Sequence, residues 1–382
     1  MDESGSDDIL GLVIERVGSQ VSLIRCAAVC RRWRRAIADA GFLRRFCSLH
    51  APAIAGDYHN VTLLAPFMLG GEAGTSGPVF VPSSPSTVDA RHCSLDFLPG
   101  GAGSWDIRDS RGSLLLMIRR GFGPAFPDMV VCEPLTRRCV VIPPPPDFDD
   151  DTYFSESFLV DGYSNKAGGR ISVSNFRVRF LLCSDGHTHT AMFTAAGDTG
   201  LLWSEKIIDH SAPNLELSCL LGHAGGSWYF YVQGRTLIVL DGSTGDFSSS
   251  VLPPLEDWDL HAWSNNFFVT NGRDGMPRII TVIDDTMKVL AKLDGCKWVL
   301  EKSFLLSVAA QGLPGYQPWF FNFPQNVLTR GEGFVVLSPQ YGGPWRFSID
   351  LETMEVAPAA DMGLMMFRCE LPWPPALHAC LD

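Results

Sequence analysis

Three stretches of the chain hold residue types that could do chemistry. Cys183, His187 and His189 fall within CSDGHTH, where a thiolate and two imidazoles could ligate zinc. A structural zinc site needs a fourth ligand, and no partner pair is evident elsewhere. The segment therefore reads as a hairpin tip with exposed histidines. Asp147, Asp149, Asp150 and Asp151 offer carboxylates to calcium, but lack the spaced oxygen ligands and the glycine of a calcium loop. They follow four prolines at 143–146 and read as a solvated linker. Cys26 and Cys30 lie four apart and could share a helix face for redox or metal chemistry; as small helix-packing residues they need no such role. No G-x-S-x-G, H-E-x-x-H or G-x-x-x-x-G-K-[ST] occurs. Nothing assembles a nucleophile, a base and an oxyanion hole. The expectation is a protein without catalytic residues, cofactor or metal.

With chemistry set aside, the elements carry the information. After about residue 55 short apolar runs alternate with turns rich in Gly, Asp, Asn and Pro; the chain holds 37 Gly and 26 Pro. Strands are expected at 114–118, 129–132, 139–142, 178–183, 191–194, 228–232, 236–240, 267–270, 278–283, 334–337 and 345–349, where β-branched and aromatic residues dominate. Ser184-Asp185-Gly186, Asp241-Gly242 and Asn271-Gly272 mark turns. No βαβ alternation is visible. A faint repeat joins VVCEPLTRRCVVIPPPP, IVLDGSTGDFSSSVLPP and FSIDLETMEVAP: a strand, a turn with Thr, a second strand and a Pro. Its threonines, Thr136, Thr244 and Thr353, are 108 and 109 residues apart. Half that interval suits one four-stranded propeller blade. VIDDTMKVLAKL, with Thr286, is a candidate fourth copy. A propeller of about six blades over 60–375 is expected, with a pair of sandwiches as the alternative. Loops 70–78, 147–153 and 311–318 are long and irregular enough to carry recognition.

The first 50 residues differ. Ile9, Leu10, Val13, Ile14 and Val17 recur at helical spacing and form one apolar face. Asp7 and Asp8 favour a helix start, Gly18 a stop, and Ser19 or Ser22 can cap a second helix. A third segment places Trp33 and Ile37 on one face. Three such helices are too small to stand alone. The chain's net charge is −12, yet residues 16–46 hold eight Arg and one acid, Asp39. RRWRR could suggest nucleic acid or nuclear import. The acidic remainder repels phosphate, so a solvated face or a contact with an acidic partner fits better, and no nucleic-acid binding is expected.

The string DDIL…VIERV…SLIRCAAVCRRWRRAIADAGFLRRF resembles an F-box, the motif that docks a Skp-type adaptor of a cullin ubiquitin ligase. Val29-Cys30-Arg31-Arg32-Trp33 and the following acidic-small-Phe-Leu run are its most specific part. The resemblance implies that Leu10, Ile14, Val17, Ile24, Cys30 and Trp33 build the docking surface or its core; Ile9 and Val13, on the same apolar face, join them as adaptor-binding candidates. F-boxes usually open with Leu-Pro and an acidic residue; here Ser6-Asp7-Asp8 stands in that place, which removes one contact. More weakly, SWDIRDSRGSLLLMI, VVCEPLTRRCVVIPPPP and GGSWYFYVQGRTLIVLDGSTGDFSSSVLPP resemble the propeller that follows the F-box in many plant proteins. The expected organisation is mainly β: a three-helix F-box at 7–46, a linker at 47–59 and a propeller at 60–375 that binds an unknown target protein. The expected function is substrate recognition for a Skp–cullin–F-box ligase, without bond chemistry. The competitors are a propeller scaffold outside any ligase and a propeller enzyme or carbohydrate binder. No run of 18 apolar residues and no secretory signal occurs, so no membrane span is expected. Eleven irregularly spaced cysteines without C-x-x-C suit free thiols in the cytoplasm or nucleus.

Overall fold

The computed structural model describes residues 3–60, 77–83, 89–121, 126–146, 148, 151–160, 171–184, 187–196, 200–207, 215, 218–232, 234–254, 267–292, 297–331, 333–341, 345–359 and 366–372. The N-terminal head has four helices, not three: α1 (Glu3–Glu15), α2 (Gln20–Val29), α3 (Arg31–Ile37) and α4 (Ala40–Leu49). The expected linker at 47–59 is instead the end of α4 and a strand. The Asp39 carboxylate accepts the Phe42 N–H at 2.9 Å and so starts α4, which buries Phe42 and Phe46. Ser19, not Ser22, caps α2, accepting the Ser22 N–H at 3.1 Å.

The strands follow in chain order. They are β1 (Ile54–His59), β2 (Val79–Pro82), β3 (Trp105–Arg111), β4 (Leu114–Arg119), β5 (Met129–Glu133), β6 (Arg138–Ile142), β7 (Thr152–Val160) and β8 (Asn175–Ser184). Next come β9 (His187–Ala196), β10 (Gly200–Ile207), β11 (Cys219–Ala224), β12 (Ser227–Tyr231), β13 (Thr236–Asp241), β14 (Phe247–Val251), β15 (Phe267–Asn271) and β16 (Pro277–Ile283). The last are β17 (Thr286–Lys292), β18 (Trp298–Leu305), β19 (Gln325–Gly331), β20 (Phe334–Pro339), β21 (Phe347–Asp350), β22 (Val356–Pro358) and β23 (Met366–Glu370). They form six sheets, the blades of a six-bladed β-propeller. Five are four-stranded meanders, β3 to β6, β7 to β10, β11 to β14, β15 to β18 and β19 to β22. The remaining sheet has the order β2-β1-β23, so the last described strand completes the first sheet.

The chain divides into two compact units, Met1–Leu182 with Ala191–Ile207 and Phe367–Asp382, and Cys183–Thr190 with Ile208–Met366. In the first, Tyr58, Trp105, Leu115, Met117, Cys132 and Cys369 share a core with Leu371. Side-chain acceptors, Asn60 buried and Asp109 partly so, tie one sheet to the next there. The Asn60 amide donates to the Ile107 carbonyl at 2.8 Å and accepts its N–H at 2.9 Å. Asp109, beside a bulge in β3, accepts the Leu159 N–H of β7 at 2.8 Å and the Ser110 N–H at 2.8 Å. Burial pushes the Asp109 carboxyl up to about 6, against the pull of its backbone hydrogen bonds and of Arg111. A carboxyl that holds its proton more tightly when folded lowers stability as pH rises from about 4 through about 6. Asp109→Asn removes that titration. Urea melts should therefore show the variant gaining about 2–3 kcal/mol on the wild type between pH 4 and pH 7.

In the second unit, Asn271 accepts the Gly225 N–H at 2.8 Å. Gly222 sits at a bulge in β11 with φ +141°, and a Cβ there would lie 2.4 Å from the Val269 carbonyl oxygen. Gly222→Ala should therefore cost about 2 kcal/mol or more, read as a lowered Tm.

The recurring threonines occupy equivalent turns. Thr136, Thr244 and Thr353 join the third and fourth strands of the second, fourth and sixth sheets, two blades apart each time. In the last two turns the Asp241 and Asp350 carboxylates accept the Thr N–H at 2.9 Å, and each Thr hydroxyl accepts the N–H two residues on at 3.2 Å. Thr136 instead donates to the Glu133 carboxylate at 2.6 Å. Thr286 is not a fourth copy: it opens β17 after the Asp284-Asp285 turn, between second and third strands.

Candidate functional site

Helix α1 is apolar on two sides. Leu10, Ile14 and Val17 face inward and pack with Leu23, Ala27, Ile37, Phe42 and Phe46 in the core of the head. Ile9, Leu12 and Val13, at i, i+3 and i+4, form a second stripe that is 64, 62 and 58% exposed. Val29 at the end of α2 is equally open. Large aliphatic side chains lined up in the open on a small domain make the stripe the candidate contact surface of the head.

The eight expected adaptor-binding residues therefore fall into three groups. Ile9, Val13 and Cys30 are exposed. Leu10, Val17 and Trp33 are half-buried against the core of the head. Ile14 and Ile24 are buried, Ile14 within the core of the head. Leu12 and Val29 are exposed as well, as is Leu49 at the end of α4, and sequence reasoning missed all three. Leu12 falls off the single apolar face that the spacing suggests, and Val29 reads as helix interior. Cys26 and Cys30 do not share a helix face, because α2 ends at Val29 and Cys30 is extended with φ −160°. Helix α1 starts at Glu3, ahead of the position where an F-box usually has Leu-Pro. Without that proline the backbone N–H groups there are free to continue the helix.

The opposite end of the head is already engaged. Gln20, the first residue of α2, is buried, and its amide donates to the Pro372 carbonyl at 2.6 Å. Val21 packs on the core that holds Tyr58, Cys369 and Leu371. The start of α2 thus rests on the sheet closed by β23, while the outer stripe of α1 stays uncovered. Helix α3 is cationic: Arg31, Arg32, Arg34 and Arg35 are exposed on it. Arg45 pairs with Glu15, and His50 reaches the Glu15 carbonyl at 2.7 Å, which joins α4 to the end of α1.

The other chemical candidates resolve into structure. Cys183 is buried near the Thr188 hydroxyl, and His189 is buried with a ring nitrogen 2.9 Å from the Ser184 hydroxyl. His189 is therefore not an exposed loop residue: it lies within β9, where Thr188, His189 and Thr190 are all buried. The side chain of His187, Asp147, Asp149, Asp150 and loop 70–76 lie outside the described residues. Phe148 packs against Phe126 at 5.3 Å, so at that point the expected linker is pinned to a core. Among the described residues no group of His, Cys, Asp and Glu could hold a metal ion, and no helix is long and apolar enough to cross a membrane.

Residues 7–49 match the F-box-like family model, and that span covers α1 from Asp7 through α4. No curated protein matches the chain significantly. Similar solved structures include YCF48 bound to D1 peptide, at 9% identity over 69% of this chain and 70% of that one, TM-score 0.36. A protein from Lactobacillus plantarum matches at 11% identity over 82% and 99%, TM-score 0.36, and the Neurospora crassa Pan2 WD40 domain at 15% over 74% and 71%, TM-score 0.33. Likeness this distant carries no functional weight. From its own residues the chain carries an F-box-like domain at 7–49, followed by a six-bladed β-propeller.

Proposed function

We propose that the protein is the substrate receptor of a Skp–cullin–F-box ubiquitin ligase. Its head docks a Skp-type adaptor, and through it a cullin, while the propeller holds a target protein. The observation that carries this reading is the uncovered stripe of Ile9, Leu12 and Val13 on a domain that matches the F-box-like model. F-box domains generally bind Skp-type adaptors, and here the stripe is left open although the same head buries Gln20 and Val21 on the propeller side. The protein makes and breaks no bond. It raises the local concentration of target lysines near the transferring enzyme. Its work belongs to the cytoplasm or nucleus, where ligases of this kind and free thiols coexist.

One feature favours a propeller scaffold that joins no ligase: Ser6-Asp7-Asp8 stands where Leu-Pro usually opens an F-box. Co-expression with a Skp-type adaptor followed by size exclusion separates the two. The ligase reading expects one co-eluting complex. A folded chain that elutes alone assigns the protein to the scaffold class.

A further inference from the structure

The hairpins that carry the recurring threonines differ at one position. Behind the turns of Thr244 and Thr353 the strand partners are apolar: Leu240 stands opposite Phe247, and Ile349 opposite Val356. Behind the turn of Thr136 the same position holds two thiols, Cys132 of β5 directly opposite Cys139 of β6. Directly opposite residues of an antiparallel pair project from the same face of the sheet. Their Cα atoms lie about 4.5 or 5.5 Å apart, depending on the type of pair, and a disulfide takes about 4.4–6.8 Å.

The end of this hairpin is fixed from several sides. Arg137 closes the turn in the left-handed region at φ +54°. Its guanidinium pairs with Asp96 at 2.9 Å and lies 5.3 Å from the centre of the Phe97 ring. Glu133, next to Cys132, is buried and accepts the Ser113 hydroxyl at 2.8 Å and the Thr136 hydroxyl at 2.6 Å. The register that sets the thiols opposite each other is thus held by the turn and by its surroundings. The two thiols are unequal. Cys132 is fully buried in the core with Tyr58, Leu115 and Met117, whereas Cys139 is exposed on the outer strand of its sheet. Burial pushes the Cys132 thiol up. Both cysteines are unbridged in this structure.

We propose that Cys132 and Cys139 are a reversible disulfide site, closed by exchange with a small disulfide such as oxidised glutathione. The exchange takes two steps. The exposed Cys139 attacks as a thiolate: its Sγ bonds to one glutathione sulfur, the glutathione S–S bond breaks, and one glutathione leaves as a thiolate and takes up a proton. The Cys132 Sγ then attacks the Cys139 Sγ, gives up its proton and releases the second glutathione. Two protein thiols are oxidised to one disulfide, and one glutathione disulfide is reduced to two thiols. Exposure makes Cys139 the point of entry, and burial makes Cys132 the resolving partner. In a reducing compartment such a bond is transient and senses oxidation. Closure ties the outer strand β6 covalently to β5. This inference goes beyond the receptor reading and does not rest on it.

The test exposes the folded full chain to oxidised glutathione, blocks the remaining thiols with iodoacetamide and maps tryptic peptides by mass. Cleavage after Arg137 and Arg138 separates the two cysteines, so only a disulfide keeps their peptides together. A mixed disulfide on Cys139 should appear first, and the Cys132–Cys139 link should replace it. Dithiothreitol should restore both thiols. Cys132→Ala should stop at the mixed disulfide. Cys139→Ser, a change on the exposed edge, should lower oxidation of Cys132 by about tenfold or more at an unchanged Tm, and decides the matter even if Cys132→Ala fails to fold. Four results would each overturn the inference: a wild type that keeps the mixed disulfide or leaves Cys139 unmodified, links between other cysteines in its place, undiminished oxidation of Cys132 in Cys139→Ser, or a link that forms only in urea.

Discussion

Replacing Ile9 and Val13 together by Asp should abolish the adaptor complex while leaving the melting curve of the chain unchanged. Both side chains are mostly exposed, so the folded head loses little by the exchange. A bound adaptor would cover them, and each new carboxylate would then be buried without a partner. That cost is about 3 kcal/mol or more, over a hundredfold in affinity. Ile14→Ala gives the contrasting result. Ile14 is 1% exposed, and its truncation leaves a cavity worth about 2–5 kcal/mol in a core of few residues. Adaptor binding then falls because the head frays, and hydrogen exchange in α1 and α2 rises with it. If the double Asp variant still co-elutes with adaptor, the α1 stripe is not the docking surface.

The second large effect is expected from a chain that stops after residue 365. It lacks β23, whose Phe367 and Cys369 are buried with Leu371 in the core under β1. It also lacks the Leu371 N–H bond to Ala53 and the Glu370 N–H bond to Gly112, both 2.8 Å. Burying apolar side chains of this size stabilises by about 1.5–3 kcal/mol each. Losing three together approaches the whole stability of an ordinary domain. Hydrogen exchange should show lost protection in β1, β2 and the start of α2, where Gln20 and Val21 lose their seat. Unchanged protection in α2 would mean that the head holds its place without Pro372.

What could be read from the sequence follows burial. The strands expected at 114–118, 129–132, 228–232, 236–240 and 334–337 are inner strands of their sheets, mostly buried and written as largely apolar runs. Strands β3 and β18 were not legible. WDIRDSR and WVLEKSFL carry charge because one side of each meets solvent, whereas FSSSV was read only through the repeat that contains it. The blade interval survived in the threonine turns, since an Asp or Glu three residues ahead of the Thr is a local device that needs no distant partner. In the head, periodicity located α1 but merged its two faces. Ile9 and Val13 are neighbours in sequence of Leu10 and Ile14, and only packing against α3 and α4 separates an outer stripe from an inner one. The fourth helix was hidden because GFLRRFCSL alternates aromatic and basic residues too briefly to be read without its neighbours.

The hydrogen bond from Gln20 to the Pro372 carbonyl spans 352 positions of the chain. A ribosome adding about 5–20 residues per second releases the two ends roughly 20–70 s apart. For that interval a finished head has no seat on the propeller, because the strand that completes its platform has not been made. An interrupted chain never makes it. The head helices of a truncated product are thus tethered loosely to an open sheet. Firm placement of the head reports that translation has passed β23.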